Sequence, residues 1–412
     1  MYEEYSLYQI GIKMSEIGIR NRLFYGDNLD VLKRSIEDES IDLIYIDPPF
    51  NSNRGYNVLF ETIDMSDTTA QRQAFADTWS NVSYMDELFD IIDLNLDLHN
   101  FLKMLNQLQI SKGVVSYLTT MALRIFYMHK KLKQTGSFYL HCDPTMSHYL
   151  KLVCDLIFGK DNFRNEYIWK RTLGHHLAKR ASDVMTDSIF FYTKTDQYVF
   201  NPQFRSLSED ELKKKFRYIE KETGRRFTHE KLEQSSNVYS KGEVRIIQGK
   251  EITTELGWRW SQETFNKRLA GNPYLIYWTS EGRPRYKRYA DEYPGQQVGS
   301  LWDDIAPLSS NSKERLGYPT QKPESLLERI IKASSKEGDV VADFFCGCGT
   351  AVVAAERLNR QWIGVDISHL AVRLIIDRLL DPYEDKPQER NQIKKSIDIN
   401  GFPKDIATAK EL

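Results

Sequence analysis

Cysteine is scarce in this chain. The four thiols at 142, 154, 346 and 348 cannot supply the bridges of a disulfide-built fold, and they suit a reducing compartment. Cys346-x-Cys348 has no second ligand pair at metal-binding spacing, so no metal is expected. No apolar run reaches the roughly 20 residues that cross a bilayer. The opening MYEEYSLYQIGIK lacks a basic leader followed by an apolar stretch, so the expected compartment is the cytoplasm, without membrane attachment. Net charge is only −2, which by itself gives no pull toward a polyanion, and no internal repeat or low-complexity segment is evident. What is present is enough apolar material, 41% of 412 residues, to build a large core and a second, smaller one.

The most informative stretch is IDLIYIDPPF at 41–50, an apolar strand running into an acid, two prolines and a ring. A residue ahead of proline is pushed to extended geometry and each proline fixes its own φ. Asp47 and the Pro48 carbonyl are therefore aimed by the backbone. A primary amine can be hydrogen-bonded at that edge while its ring lies on Phe50, which makes Asp47-Pro48-Pro49-Phe50 a holder for a nucleobase.

Residues 339–366 read as strand, glycine turn, helix, strand. Gly347 and Gly349 let backbone approach a ligand, and Asp366 at the end of the next strand is placed to accept both hydroxyls of a ribose. Val352 stands where a dinucleotide fingerprint has its third glycine, which argues for an adenosine without a pyrophosphate on the helix.

Taken together, and in this order, the motifs resemble those of the beta-class S-adenosylmethionine-dependent DNA amino-methyltransferases, in which a DPP[YF] motif precedes FxGxGT. Here these are Asp47-Pro48-Pro49-Phe50 and Phe345-Cys346-Gly347-Cys348-Gly349-Thr350. Similarity continues through Tyr25-Gly26-Asp27-Asn28 and the segments 139–151, 162–171, 190–195 and 316–331. Phe344 departs from the proline more common there. The resemblance implies a Rossmann-like α/β methyltransferase fold, a mostly parallel sheet with helices on both faces and a circularly permuted motif order. It implies S-adenosylmethionine as cofactor, held by Asp343, Phe345, Gly347 and Gly349 in the turn, by Asp366 at the ribose and by Asp27 at the adenine amine. Thr320 and Lys322 would meet the methionine end. The substrate would be double-stranded DNA, with the target base flipped onto Phe50. Aspartate as first letter is commoner among the adenine-N6 enzymes, so the expected reaction is methylation of adenine N6. Cytosine-N4 methylation is the alternative, and an inactive binding module the third reading. A homodimer and a restriction subunit are both left open as partners.

Charge distribution points to a recognition region. Residues 201–290 hold 19 Lys+Arg against 12 Asp+Glu, interleaved with tryptophans and tyrosines, a composition suited to phosphates and bases. Trp258, Arg259 and Trp260 are candidate base readers, and Arg283, Arg285, Lys287 and Arg288 candidate phosphate contacts. The expected organisation is a DPPF half at 1–200, the target-recognition region at 201–300, a cofactor half at 301–385 and a charged, loosely ordered tail at 386–412. Strands are expected at 22–25, 41–46, 137–141, 166–170 and 188–193, with helices at 28–36, 116–134 and 144–158. The polar segment 51–72 is read as a flap, and 84–110 as helices forming a lid or dimer contact. His141, His175 and His176 are read as ordinary polar residues.

Overall fold

A computed structural model describes residues 21–49, 84–172, 181–234, 238–309, 311–318 and 320–401. Phe50, the 51–72 segment, His175 and His176 lie outside them. The chain divides into two compact units, one formed by Met1–Gln203 with Gly299–Leu412 and the other by Phe204–Val298.

The larger unit is built on one nine-stranded sheet. Its strands are β1 (Asn21–Tyr25), β2 (Ile41–Ile46), β3 (Leu132–Cys142), β4 (Phe163–Lys170), β5 (Thr186–Thr193), β6 (Leu301–Trp302), β7 (Val340–Asp343), β8 (Gln361–Asp366) and β9 (Ile397–Asn400). Their order across the sheet is β6-β4-β5-β3-β2-β7-β8-β1-β9. Only β5 runs against its neighbours; the other pairings are parallel. The apolar run of β2 has a direct cause: Ile41, Leu43, Ile44, Tyr45 and Ile46 are all buried, so both faces of the strand are covered, as in a doubly layered parallel sheet. β7 comes late in the chain yet inserts beside β2, with Val341 opposite Leu43 and Ala342 opposite Ile44. The permuted order of the motifs is thereby undone in space.

The helices that pack around this sheet include α1 (Asn28–Arg34), α2 (Tyr84–Leu94), α3 (Leu96–Gln107), α4 (Lys112–Lys131), α5 (Ser147–Phe158), α6 (Glu324–Ser334), α7 (Thr350–Arg357) and α8 (His369–Leu380). Two expectations are corrected and a third is given a setting. The helix expected to reach residue 134 stops at Lys131, and β3 begins at once; the extra residues are taken up in a register shift, where Ile41 faces Leu132 but Leu43 faces Ser137. Helices α2 and α3, expected as a lid or dimer contact, pack one face into the main core through Leu88, Ile91, Leu98, Leu102 and Leu105 and leave Phe89, Leu96 and, at the C-cap of α3, Leu108 exposed. The described part of the segment after 386 has regular structure: Pro387–Ser396 is a helix and β9 adds an edge strand parallel to β1.

The smaller unit carries an antiparallel sheet ordered Ile276–Trp278, Pro284–Tyr289, Arg226–Lys231, Tyr218–Ile219. Its core gathers Leu232, Ile247, Trp258, Phe265, Ile276 and Tyr286. Where the chain enters and leaves this unit, Phe204–Arg205 pairs antiparallel with Gln296–Gln297.

Candidate active site

Four adjacent parallel strands end in acids. Asp47 follows β2, Asp343 closes β7, Asp366 closes β8, and Asp27 stands two residues beyond β1. Open α/β sheets bind ligands at these carboxyl ends.

Asp47 receives Lys322 on Oδ2, in an ion pair nine-tenths removed from solvent on the lysine side. Its Oδ1 is buried and has no hydrogen-bond partner among the described residues. Pro48 is buried beside it. Lys322 also donates to the Thr320 carbonyl at 3.3 Å. Of the two late-chain residues expected at a cofactor's methionine end, Lys322 therefore reaches the DPPF turn and binds its acid, and Thr320 is tied to it only through that lysine. Thr320 is exposed and sits at φ 62°, a left-handed conformation costly for a β-branched residue.

On the next strand, Asp343 is 4% exposed and accepts from the Phe345 N–H at 2.9 Å. Burial, with Asp47 and Asp366 nearby, pushes its carboxyl well above the usual range. Phe345 packs on the main core from a half-buried position. The turn that follows is held from three sides. Gly347 donates its N–H to Asp366 Oδ2 at 2.8 Å, and Arg378 on α8 donates to the Cys348 carbonyl at 2.7 Å while pairing with Glu324 at 2.8 Å. Gly349 has φ 79°, and a Cβ there would meet Ile375 Cγ1 at 2.5 Å, so both conformation and space require glycine.

Val352 marks a departure from dinucleotide sites that the structure accommodates differently. A Cβ at Gly364, on β8, would lie 3.0 Å from Val352 Cγ2. The close helix–strand approach is thus supplied by a glycine on the strand, not on the helix.

Asp366 accepts from Gly347 N–H on one oxygen and from Ser368 N–H on the other, both at 2.8 Å. Each carboxylate oxygen keeps a further acceptor site. Burial raises its carboxyl to about 6, against the lowering effect of the two backbone bonds.

Asp27 is already occupied in a different way from the expected contact with an adenine amine. Its Oδ1 caps α1 through Leu29 N–H (2.7 Å) and Asp30 N–H (3.3 Å), and its Oδ2 takes Arg124 at 3.0 Å. Arg124 also binds Asn28 at 2.6 Å and Glu87 at 2.9 Å, and Asn28 donates to the Phe344 carbonyl at 2.8 Å. This chain of contacts ties the YGDN turn to the glycine turn. Sequence reading missed Arg124, although a lone cation in the apolar stretch 117–126 was a signal. It also passed over His141, which is fully buried between the Tyr45 hydroxyl (3.0 Å) and Asp187 (3.1 Å).

The residues proposed for DNA in the smaller unit fare unevenly. Trp258 is 1% exposed, gives its indole N–H to the Glu243 carbonyl at 2.8 Å and packs on Phe265. It is a core residue, not a base reader. Lys287 lies inside the unit, paired with the buried Glu220 at 2.5 Å, and so is withdrawn as a phosphate contact. Arg259 and Arg288 both face Glu230, and Arg283 stands 3.6 Å from Glu233. Trp260 is half-buried under the Arg268 guanidinium. Arg285 alone of the seven has no carboxylate or ring partner among the described residues.

The family model for N6/N4 methyltransferases, described as DNA methylase, matches residues 41–377. The chain belongs to that DNA methylase family. This family member is 29% identical to the type III restriction-modification enzyme StyLTI Mod subunit of Salmonella typhimurium, over 83% of this chain and 50% of that one. It is 23% identical to the type II methyltransferase M.EcaI of Enterobacter cloacae, over 89% of this chain and 71% of the relative. It thus spans half the length of the Mod subunit it matches. Among solved structures, the cytosine-N4-specific PvuII DNA methyltransferase aligns at 15% identity and TM-score 0.46, over 92% of this chain and 94% of that one.

Proposed function

We propose that the protein transfers a methyl group from S-adenosylmethionine to the N6 amine of an adenine in double-stranded DNA. The observation that carries this reading is the adjacency of β2 and β7, which sets the Asp47-Pro48 edge beside the glycine turn. The residues present fit the cofactor: Asp366 has spare acceptor sites on both oxygens at the mouth of the glycine turn, whose left-handed Gly347 and Gly349 give the backbone its tight bend. S-adenosylmethionine supplies, when bound, an electrophilic methyl group. Asp366 would hold its ribose, and the backbone from Asp343 to Gly349 would line it.

The exocyclic amine of adenine is a weak nucleophile because its lone pair is shared with the ring. Asp47 Oδ1 and the Pro48 carbonyl accept hydrogen bonds from the two amine N–H groups, favouring a more pyramidal nitrogen with its lone pair turned toward the methyl. Lys322 on Oδ2 fixes the carboxylate so that Oδ1 faces the amine. The contribution is one of alignment and oriented charge. Cys346 and Cys348 are pushed upward by burial, so neither is an activated thiolate, which agrees with direct displacement. A paired base cannot reach this pocket, so it must leave the stack, at a cost of roughly a few kcal/mol; Phe50 is assigned to receive it.

Incubation with duplex DNA and methyl-labelled S-adenosylmethionine, then digestion to nucleosides, tests the reading. N6-methyladenine is the expected product. N4-methylcytosine alone would move the protein to the other base, and no labelled nucleoside would leave a binding module. The Mod-subunit relative supports a restriction subunit as partner, to be sought by co-purification.

A further inference from the structure

The sheet of the smaller unit has two unlike faces. One set of alternating residues, Ile276 and Tyr286 among them, packs into the unit's core. The other set places Tyr277, Arg285 and Lys231 opposite one another across three strands, with His229 in the next row. On this second face the His229 and Tyr277 rings stack at 4.5 Å and 8°, and Tyr218 lies 4.9 Å from His229. All three rings are half-buried.

Three features combine on this face. Arg217, Lys231 and Arg285 have no carboxylate partner among the described residues, a property shared by Arg226, Lys250 and Arg268 elsewhere in the unit, but here the three cations border one group of rings, whereas Arg205, Arg225, Arg245, Arg259, Lys287 and Arg288 are each paired with an acid. Arg285 and Lys231 are direct cross-strand partners, and like charges so placed destabilise a sheet unless an anion lies between them. His229 Nδ1 is a buried polar atom with no hydrogen-bond partner. Its ring is kept toward the neutral form by burial and by Arg285 and Arg217, so it adds a flat surface and no further repulsion.

We infer that this ring-bearing face, bordered by Arg217, Lys231 and Arg285, is where the smaller unit grips the duplex: the three cations take backbone phosphates, and Tyr218, His229 and Tyr277 pack against the sugars and base edges between them. The assignment rests on DNA being the substrate. Unpaired cations flanking flat rings match the alternation of charge and apolar surface along a nucleic-acid strand.

The test is binding of the full chain to a random-sequence duplex, titrated with salt. Changing Arg217, Lys231 and Arg285 together to glutamine should flatten the log–log slope by roughly 0.9 per contact, or about 2.7 in all. The matched triple Arg205→Gln, Arg225→Gln and Arg245→Gln should leave it unchanged, because those cations already face acids. Tyr277→Ala should weaken binding and Tyr277→Phe should retain it; an unchanged unfolding midpoint guards against a folding artefact in the first triple, whose Arg217 and Lys231 are exposed and Arg285 half-buried. An unaltered slope in that triple, or an equal loss in the matched one, overturns the assignment. Methyl transfer by the unaltered protein, measured alongside, separates the two readings: transfer with an unaltered slope sinks only this face, and neither transfer nor DNA binding sinks both.

Discussion

Asp366 is an acid held in a place that disfavours its charge, and its proposed work requires that charge. Its folded value of about 6 lies above the ordinary aspartate value. The sign follows: the folded state holds the proton more tightly, so this group's stabilising contribution is full below the unfolded pKa and is lost as pH rises through about 6. Cofactor binding should run the other way, since only the ionised carboxylate accepts from both ribose hydroxyls. Calorimetry across this range should show affinity for S-adenosylmethionine falling as pH drops below about 6, and Asp366→Asn should weaken and flatten the profile. A pH-independent affinity in the unaltered protein would refute the ribose role. Asp47→Ala should abolish transfer while cofactor binding persists. Lys322→Met should lower kcat by roughly 10- to 100-fold, the worth of a hydrogen bond to a charged group, with little change in cofactor affinity. A large loss of cofactor affinity instead would place Lys322 at the cofactor's carboxylate. Asp47 and Asp366 were legible because an apolar run that ends in an acid announces the carboxyl end of a strand. The bond from Lys322 to Asp47 was not, because it spans 275 positions of sequence and only the packed sheet brings them together.

At the scale of single elements, α4 does more than cover the sheet. Through Arg124 it binds the cap of α1, Glu87 of α2 and, by way of Asn28, the backbone at Phe344. Arg124→Met should destabilise the fold by about 3–5 kcal/mol, because two carboxylates lose a largely buried partner, and should weaken cofactor binding. Denaturant unfolding and calorimetry on one variant check both. Gly349→Ala should also cost about 1–3 kcal/mol through strain at φ 79° and the clash with Ile375. Adding Ile375→Val should recover little of it, because valine keeps the γ carbon that makes the 2.5 Å clash, and none of the conformational strain. The Gly-turn unit was readable because its strand, turn and helix are local. Composition misled in the smaller unit: Trp258 and Lys287 looked like DNA contacts until their partners, Glu243 and Glu220, were seen to hold them inside. Residue type reports what a side chain can do, and pairing decides whether it is free to do it.

At the scale of the molecule, the two ends of the smaller unit are paired strands. Replacing residues 204–298 by a short Gly-Ser link should leave a folded larger unit that binds S-adenosylmethionine and has lost preference among DNA sequences. Exchanging the unit for that of a relative should transfer the preference; a chimera that methylates its original sequence would place recognition elsewhere. The same two-strand neck bears on how the chain folds at all. The cost of an insertion is chiefly the entropy of bringing its ends together, which grows slowly with length. When the insertion closes its own ends, that cost falls on its internal folding, and the host sheet meets the whole of it as little more than a short connection that carries the chain from β5 past β4 to β6.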